Sequence, residues 1–437
     1  MLRIHPSAAL FDVSCRIAVQ GLKPREPVTI SSVVSNNKDT FGAHAYFVAD
    51  EDGQVDVSQQ PSLGGSYKGI NPMGLFWSVN QLPGQRPGLR LMPRSILGPI
   101  SYRFDLLTGH VTEPFHCSRQ QISDLTLASG NCQRLFLAPW VRRIPVEEGG
   151  LRGTIFLPES TGRLPAILDL YGTAGGLNEY RAALLASHGF LVLALAYFGH
   201  PGLPSRLDEL DLTYFETATD WLLSRPDVIP DGIGAIGISF GADVLAYLAA
   251  VSKKVKAVAL INGYHVIEPF APMKYKGVPL PCAVGGDVES IDFSEGKLKY
   301  DSFRFAMGKE CPHNIPIDQS DAHFLFLCSL DDRSTCSLYS AERLIAQLGS
   351  KGRESQAELI TFPGAGHLLE PPYMPFCYES FHKVVGSLMV WGGELYAHVA
   401  AQEVMWRKVI ETFRRYVGPP LDVSKRRQEI QSPVAKL

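Results

Sequence analysis

Two spacings of apolar residues divide this chain. In the first third the period is two. "VSCRIAV" sends Val13, Cys15, Ile17 and Val19 toward one face, and "EPVTISSVV" and "AHAYFVAD" follow, set apart by the turn clusters "SNNKD" and "DEDGQ". Alternation of this kind marks half-buried strands. Short strands at such spacing predict a small all-β sandwich over residues 1–143, with "QLPGQRPGLRLMPRS" as a Pro/Gly-rich loop inside it.

Near residue 145 the pattern changes. "PAILDLYG", "FLVLALAY", "GIGAIGIS", "VKAVALING" and "HFLFLCS" are largely apolar runs, as expected of strands covered on both faces of a parallel sheet. "LRGTIFLPE" and "AELITFPG" add two more strands. Between them lie helical patterns: "EYRAALLASHG", stopped by Gly189; "DLTYFETATDWLLSRPD", halted by Pro226; "FGADVLAYLAAVS"; and "SLYSAERLIAQLGS". Residues 395–417 read as a closing helix with Leu395, Val399, Val404, Ile410 and Phe413 on its apolar side. Strands alternating with helices predict right-handed crossovers and an α/β domain with a mostly parallel central sheet, residues 144–420. The alternation pauses at 264–322, a stretch rich in Pro, Gly and charge and long enough to form a lid.

At 437 residues two domains are expected. Hydrophobic residues make up 45% and charged residues 19%, a globular balance with ample core. Forty-one Lys and Arg stand against 44 Asp and Glu, so no basic surplus points to nucleic acid. The eight cysteines show no zinc or redox spacing and fit a reducing compartment. No run of about 18 uncharged apolar residues suggests a membrane span. The tail 421–437 ends in Ala435-Lys436-Leu437, one small residue away from the Ser-Lys-Leu address. This predicts a peroxisomal import receptor as partner and the peroxisome as location, with the cytoplasm as the alternative.

"GAIGISFGAD" places Ser239 in G-x-S-x-G between a buried strand and a helix. Bare glycines on either side let neighbouring backbone close on a sharp turn, and the serine projects from the carboxyl edge of the sheet. A serine capping the helix is the bland alternative. A nucleophilic serine needs a base, and the base needs an orienting carboxylate, in the order Ser, acid, His. "FLFLCSLDDRS" offers Asp331 and Asp332 just past a strand, and "LITFPGAGHLLEPPY" offers His367 past the last one. His382 and His398 fall in expected helices, off the sheet edge. The expected triad is Ser239, His367 and Asp332, with little in the residues alone to separate Asp332 from Asp331. Two backbone donors for an oxyanion are expected from the N–H of Phe240 and from the "GTAGG" loop, at Thr173 or Ala174. Arg181, Lys274 and Lys276 read as solvated charges in preference to phosphate ligands.

"GTAGGLNEYRAALLASHGF", "GISFG", "PGAGHLLEPPY", "WGGELYAHVAAQ" and "SLGGSYKGINPMGLFWSV" together resemble the acyl-CoA thioesterase and bile acid-CoA:amino acid N-acyltransferase family, from about residue 15 to 417. The resemblance implies an α/β-hydrolase domain after a β-sandwich. It implies a nucleophile at Ser239, an acid at Asp332 in preference to Asp331, and a base at His367. Conjugating members carry cysteine at the nucleophile and hydrolysing members serine, so Ser239 implies an acyl-CoA hydrolase working through an acyl-serine. No metal or redox cofactor is implied, CoA being part of the substrate. A glycine or taurine N-acyltransferase, a silent acyl-CoA-binding protein and a generic carboxylesterase are the competing readings. Phe240 departs from the polar residue expected after the nucleophile and implies an altered pocket.

Overall fold

The computed structural model describes residues 1–36, 38–93, 95–283, 292, 296–299, 313–426 and 430. The tripeptide 435–437, expected to be an address, and most of the expected lid, between 284 and 312, lie outside the described residues. The chain forms two compact units. One comprises Met1–Pro139, Pro372–Phe376 and Ser424–Leu437; the other comprises Trp140–Pro371 and Cys377–Val423.

The larger unit is built on eight strands: β1 (Val141–Val146), β2 (Arg152–Pro158), β3 (Ala166–Leu170), β4 (Leu191–Ala196), β5 (Ile233–Ile238), β6 (Val255–Ile261), β7 (His323–Ser329) and β8 (Ala357–Phe362). Their order across the sheet is β1-β2-β4-β3-β5-β6-β7-β8. β2 runs antiparallel to β1 and β4, and the pairings from β4 to β8 are parallel. Strands β3, β4, β5 and β7 are buried along their whole length, as their largely apolar runs predict. Each fully buried Leu, Ile or Val there contributes about 1.5–3 kcal/mol. This unit begins at residue 140, ahead of the expected 144, because Val141–Val146 pairs with β2 as the sheet's first strand.

Five helices of the unit matter for the site or its support: α1 (Tyr180–Ser187), α2 (Thr213–Ser224), α3 (Phe240–Val251), α4 (Ser337–Gly349) and α5 (Leu395–Tyr416). Every residue of α3 from Phe240 to Ala250 is buried, so this helix is core on all sides. In α5 the buried stripe is His398, Val399, Gln402, Met405, Trp406, Val409 and Phe413. That stripe differs from the expected one, since Val404 and Ile410 are only half-buried. The helix approaches closely because β5 has no side chain at Gly234: a Cβ there would stand 2.9 Å from the Phe413 ring.

One expectation fails inside this core. Arg181 is buried, 3% exposed, and its guanidinium donates to Asp169 Oδ1 from Nε at 2.9 Å. Asp169 lies within β3, and burying its charge is tolerable only because the guanidinium accompanies it. Arg181 therefore holds the sheet and is no solvated charge.

The β-rich unit carries two sheets. One has six strands in the order Ala8–Leu10, Thr126–Leu135, Ile100–Thr108, Pro27–Asn36, Asp39–Val48, Asn80–Gln81; the other has three, Leu2–His5, Arg16–Val19 and Val55–Asp56. The sheets pack face to face where Gly130 leaves room: a Cβ there would meet Ile4 at 3.3 Å and Leu2 at 3.5 Å. Cys15, Ile17 and Val19 are buried on one face, as the alternation predicted.

A charge is sealed in this unit. Arg134 has no solvent exposure. It donates to Cys15 Sγ at 2.7 Å, to the Phe11 carbonyl at 2.8 Å and to the Val13 carbonyl, and no carboxylate pairs with it among the described residues. An uncompensated buried cation is costly, and the available anion is the Cys15 thiolate. The Cys132 thiol, 3.8 Å away, and the Arg134 charge bring Cys15 down to about 7 from 9.0, against burial. A depressed acid contributes stability fully above its unfolded pKa near 9 and loses it as pH falls through 7. Under reducing conditions, the urea midpoint of the wild type should therefore gain on that of Cys15→Ser between pH 6.5 and 9, by up to about 2–3 kcal/mol. Parallel pH profiles would refute the thiolate.

Candidate active site

The carboxyl ends of β3, β5, β6, β7 and β8 meet along one edge, with Leu170 opposite Gly237, Gly237 opposite Leu260, Leu260 opposite Phe326, and Phe326 opposite Leu359. Each expected site residue leaves one of these strands.

Ser239 lies between β5 and α3 with φ 56° and ψ −135°. A side-chain-bearing residue pays about 1–3 kcal/mol for such a backbone. The flanking glycines are obligatory. A Cβ on Gly237 would sit 2.4 Å from the Gly241 carbonyl oxygen, and one on Gly241 would sit 2.5 Å from that of Tyr171. The serine makes no side-chain capping bond to the helix, so the bland alternative is not what is seen. Its N–H donates to the Ile261 carbonyl at 2.8 Å.

His367 and Asp332 form a buried pair, with Nδ1 to Oδ2 at 2.9 Å and side chains 2% and 1% exposed. Asp332 also accepts from the Ser334 N–H at 2.7 Å and the Thr335 N–H at 2.9 Å on Oδ1, and from the Thr335 hydroxyl at 2.7 Å on Oδ2. With Nδ1 facing a carboxylate, Nδ1 carries the proton and Nε2 is left as the basic nitrogen. Trp391 stacks on the imidazole at 5.5 Å and accepts the His367 N–H at 2.9 Å. Asp331 serves elsewhere: its carboxylate takes Arg333 on one oxygen and the Gly393 N–H on the other.

Ser239 and His367 meet through Asn262, which sequence reasoning did not single out. Asn262 follows β6 with φ 50°. Its amide donates to the His367 carbonyl at 2.8 Å and to Ser329 Oγ at 3.0 Å, and its oxygen accepts the Ser329 N–H at 2.8 Å. The preceding carbonyl, Ile261, is the one that holds Ser239. Ile261 and Asn262 together thus tie the ends of β5, β6, β7 and β8. No hydrogen bond joins the Ser239 hydroxyl to the imidazole among the described residues; in unliganded sites such bonds are often long and tighten with substrate.

The glycine-rich loop lies against the serine. A Cβ on Gly172 would stand 3.1 Å from Ser239 Cβ and 3.6 Å from its Oγ. Tyr197, another residue missed from sequence, donates its hydroxyl to the carbonyls of Tyr171 at 2.5 Å and Gly172 at 3.1 Å. Gly175 and Gly176, at φ 69° and 74°, complete the turn, where a Cβ would be strained. Phe240 opens α3, so its N–H has no partner within the helix. Its ring is 1% exposed and lies in the core beside Tyr197, 6.4 Å between centroids. Glu370 joins the base loop to the glycine loop, accepting from Tyr171 at 2.8 Å and from Tyr180.

His382 also departs from expectation. It ends a strand, Glu379–His382, paired with Ser387–Val390, and its Nε2 is 3.3 Å from Thr173 Oγ1. His398 does lie in a helix, as expected, and accepts the Gly366 N–H at 3.0 Å.

A strained residue between β5 and α3, set in this strand order, defines an α/β-hydrolase. Residues 12–148 match the family described as the acyl-CoA thioester hydrolase/BAAT N-terminal region, and residues 210–419 match the BAAT / acyl-CoA thioester hydrolase C terminal. The chain is 37% identical to acyl-coenzyme A thioesterase 1 of Homo sapiens, over 93% of this chain and 94% of that one. It is 36% identical to the bile acid-CoA:amino acid N-acyltransferase of Mus musculus and 37% identical to the peroxisomal succinyl-coenzyme A thioesterase of the same species, each over 95% of this chain and 97% of the relative. The chain belongs to the acyl-CoA thioester hydrolase/BAAT family.

Proposed function

We propose that the chain hydrolyses acyl-CoA thioesters to free acid and CoA through an acyl-serine. The observation that carries this reading is the buried Asp332–His367 pair, tied through Asn262 and the neighbouring Ile261 carbonyl to the strained turn that presents Ser239. His367 Nε2 takes the Ser239 proton as Oγ attacks the thioester carbonyl. The N–H groups of Phe240 and of the glycine loop receive the oxyanion. Thr173 is favoured over Ala174 for the second donor, since it directly follows the glycine that touches Ser239. CoA leaves as a thiol, and His367 then activates water against the oxygen ester. Each of these steps uses a group of the chain and calls on no cofactor.

The nucleophile favours one of the two activities named among the relatives. A serine acyl-enzyme is an oxygen ester, less reactive toward amines than a cysteine thioester, so water is the favoured acceptor. The test is product analysis by mass spectrometry across short, long, branched and bile acyl-CoAs, with and without glycine or taurine. Free acid in excess is expected; conjugate in excess would establish the transferase instead. Labelling of Ser239 by a fluorophosphonate is expected, and its failure in folded protein would favour a silent acyl-CoA binder.

We also infer a peroxisomal address from Ala435-Lys436-Leu437. Removing the three residues should turn a punctate tagged protein diffuse. Diffuse signal from both forms would refute the address.

A further inference from the structure

We propose that the Thr173 hydroxyl is a third donor to the oxyanion, and that His382 is the positioning residue that aims it. The proposal rests on Ser239 being the nucleophile.

The argument is one of hydrogen-bond polarity. The Val385 N–H is 3.2 Å from His382 Nδ1. A backbone N–H can only donate, so Nδ1 accepts and the ring proton of the neutral imidazole lies on Nε2. Nε2 faces Thr173 Oγ1 at 3.3 Å. The threonine oxygen therefore accepts from His382, and its own single proton is turned to another partner.

Two contacts indicate which way that proton turns. The carbonyls of Tyr171 and Gly172 are both taken up by the Tyr197 hydroxyl, so the acceptors of the loop are satisfied on that side. Gly172 lies against Ser239 on the other side, close enough that a Cβ would be 3.6 Å from Oγ. The next residue is Thr173, and on this proposal its N–H and its hydroxyl reach the point where an oxygen of the tetrahedral intermediate forms. Hydrogen bonds to an oxyanion are charge-assisted and stronger than those to the ground-state carbonyl, so a donor fixed there favours the transition state.

The charge state of His382 suits the role. Burial, and then the charge of His367, bring its pKa down from 6.5 to about 4. The ring stays neutral, keeps its Nε2 proton, and does not compete when His367 becomes an imidazolium. The hairpin that carries His382 ends at Trp391, which stacks on His367 and accepts its N–H. A single hairpin thus supports the base on one side and the donor on the other.

The experiment compares Thr173→Val, Thr173→Ser, His382→Ala and His382→Gln in the full-length protein. It uses the rate of Ser239 labelling by a fluorophosphonate, together with kcat and KM for palmitoyl-CoA. Labelling depends on the nucleophile and its donors, whatever the natural substrate. Thr173→Val and His382→Ala should each slow labelling by about 10- to 100-fold, short of the loss for a principal donor. KM should stay within about twofold. Serine at 173 and glutamine at 382, whose amide N–H₂ can replace Nε2–H, should recover most of the rate. The double variant Thr173→Val/His382→Ala should be no slower than the slower single one, because both remove one hydrogen bond.

Wild-type labelling by Thr173→Val, or losses that multiply in the double variant, would overturn the proposal. If His382→Ala does not fold, the near-isosteric Thr173→Val decides the matter alone. Labelling that behaves as expected in a protein that turns over no acyl-CoA would sink the thioesterase reading and leave this inference standing.

Discussion

Replacing Ser239 with alanine is expected to lower CoA release from palmitoyl-CoA by at least about ten-thousand-fold, with loss of fluorophosphonate labelling and no loss of fold. The scale follows from hydrolases in which the nucleophile, base and carboxylate act as a unit, so that losing the nucleophile forfeits nearly all that the unit supplies. The remaining donors bind the thioester but have no covalent step to stabilise. The backbone supplies an internal control. Alanine inherits φ 56° and ψ −135° and the strain that goes with them, whereas glycine does not. Ser239→Gly should therefore be as inactive as Ser239→Ala but more stable, by about 1 kcal/mol in urea melts. Wild-type turnover by the alanine variant would remove Ser239 from the reaction.

The second large effect is expected from Asp332→Asn, and its direction can be worked out atom by atom. Oδ1 of Asp332 accepts two backbone N–H groups, from Ser334 and Thr335, which no rotation can turn into acceptors. An asparagine must keep its carbonyl oxygen there, and its amide nitrogen takes the place of Oδ2. That nitrogen donates toward His367 Nδ1, where the carboxylate had accepted at 2.9 Å. The imidazole then holds its proton on Nε2 and cannot take one from Ser239. A fall in kcat of about ten-thousand-fold is expected with KM little changed. An effect below tenfold would mean that Asp332 does not set the tautomer. Asp331→Asn, whose partners are Arg333 and the Gly393 N–H, should cost far less activity.

The sheet was legible because burial on both faces leaves a strand few polar positions. β3, β4, β5 and β7 therefore stood out as apolar runs. Thr126–Leu135 did not: it is polar and half-exposed along much of its length, and its inward Gly130 is covered by Leu2 and Ile4 from far away in the chain. Ser239, Asp332 and His367 could be named because each follows a strand, and the structure brings Asp332 and His367 into contact and ties both to the Ser239 turn. The residues that support them could not. Asn262, Tyr197 and Glu370 act through partners 25 to 199 positions distant, and no local pattern records such pairings. His382 was misread because its segment lacks strand alternation; pairing with Ser387–Val390 makes it a strand. Arg181 was misread because a lone arginine on a helix gives no sign that Asp169 is buried opposite it.

Glu370 lies three residues after His367 and receives the hydroxyls of Tyr171, just ahead of the glycine turn, and Tyr180. On the proposed roles, the base and the donor of the glycine loop thus share one anchor. On warming, catalytic competence should vanish in a single step at the first local opening of this corner, well before the sheet melts, and return as abruptly on cooling. Warming would thus act on both sides of this corner together and not on one alone.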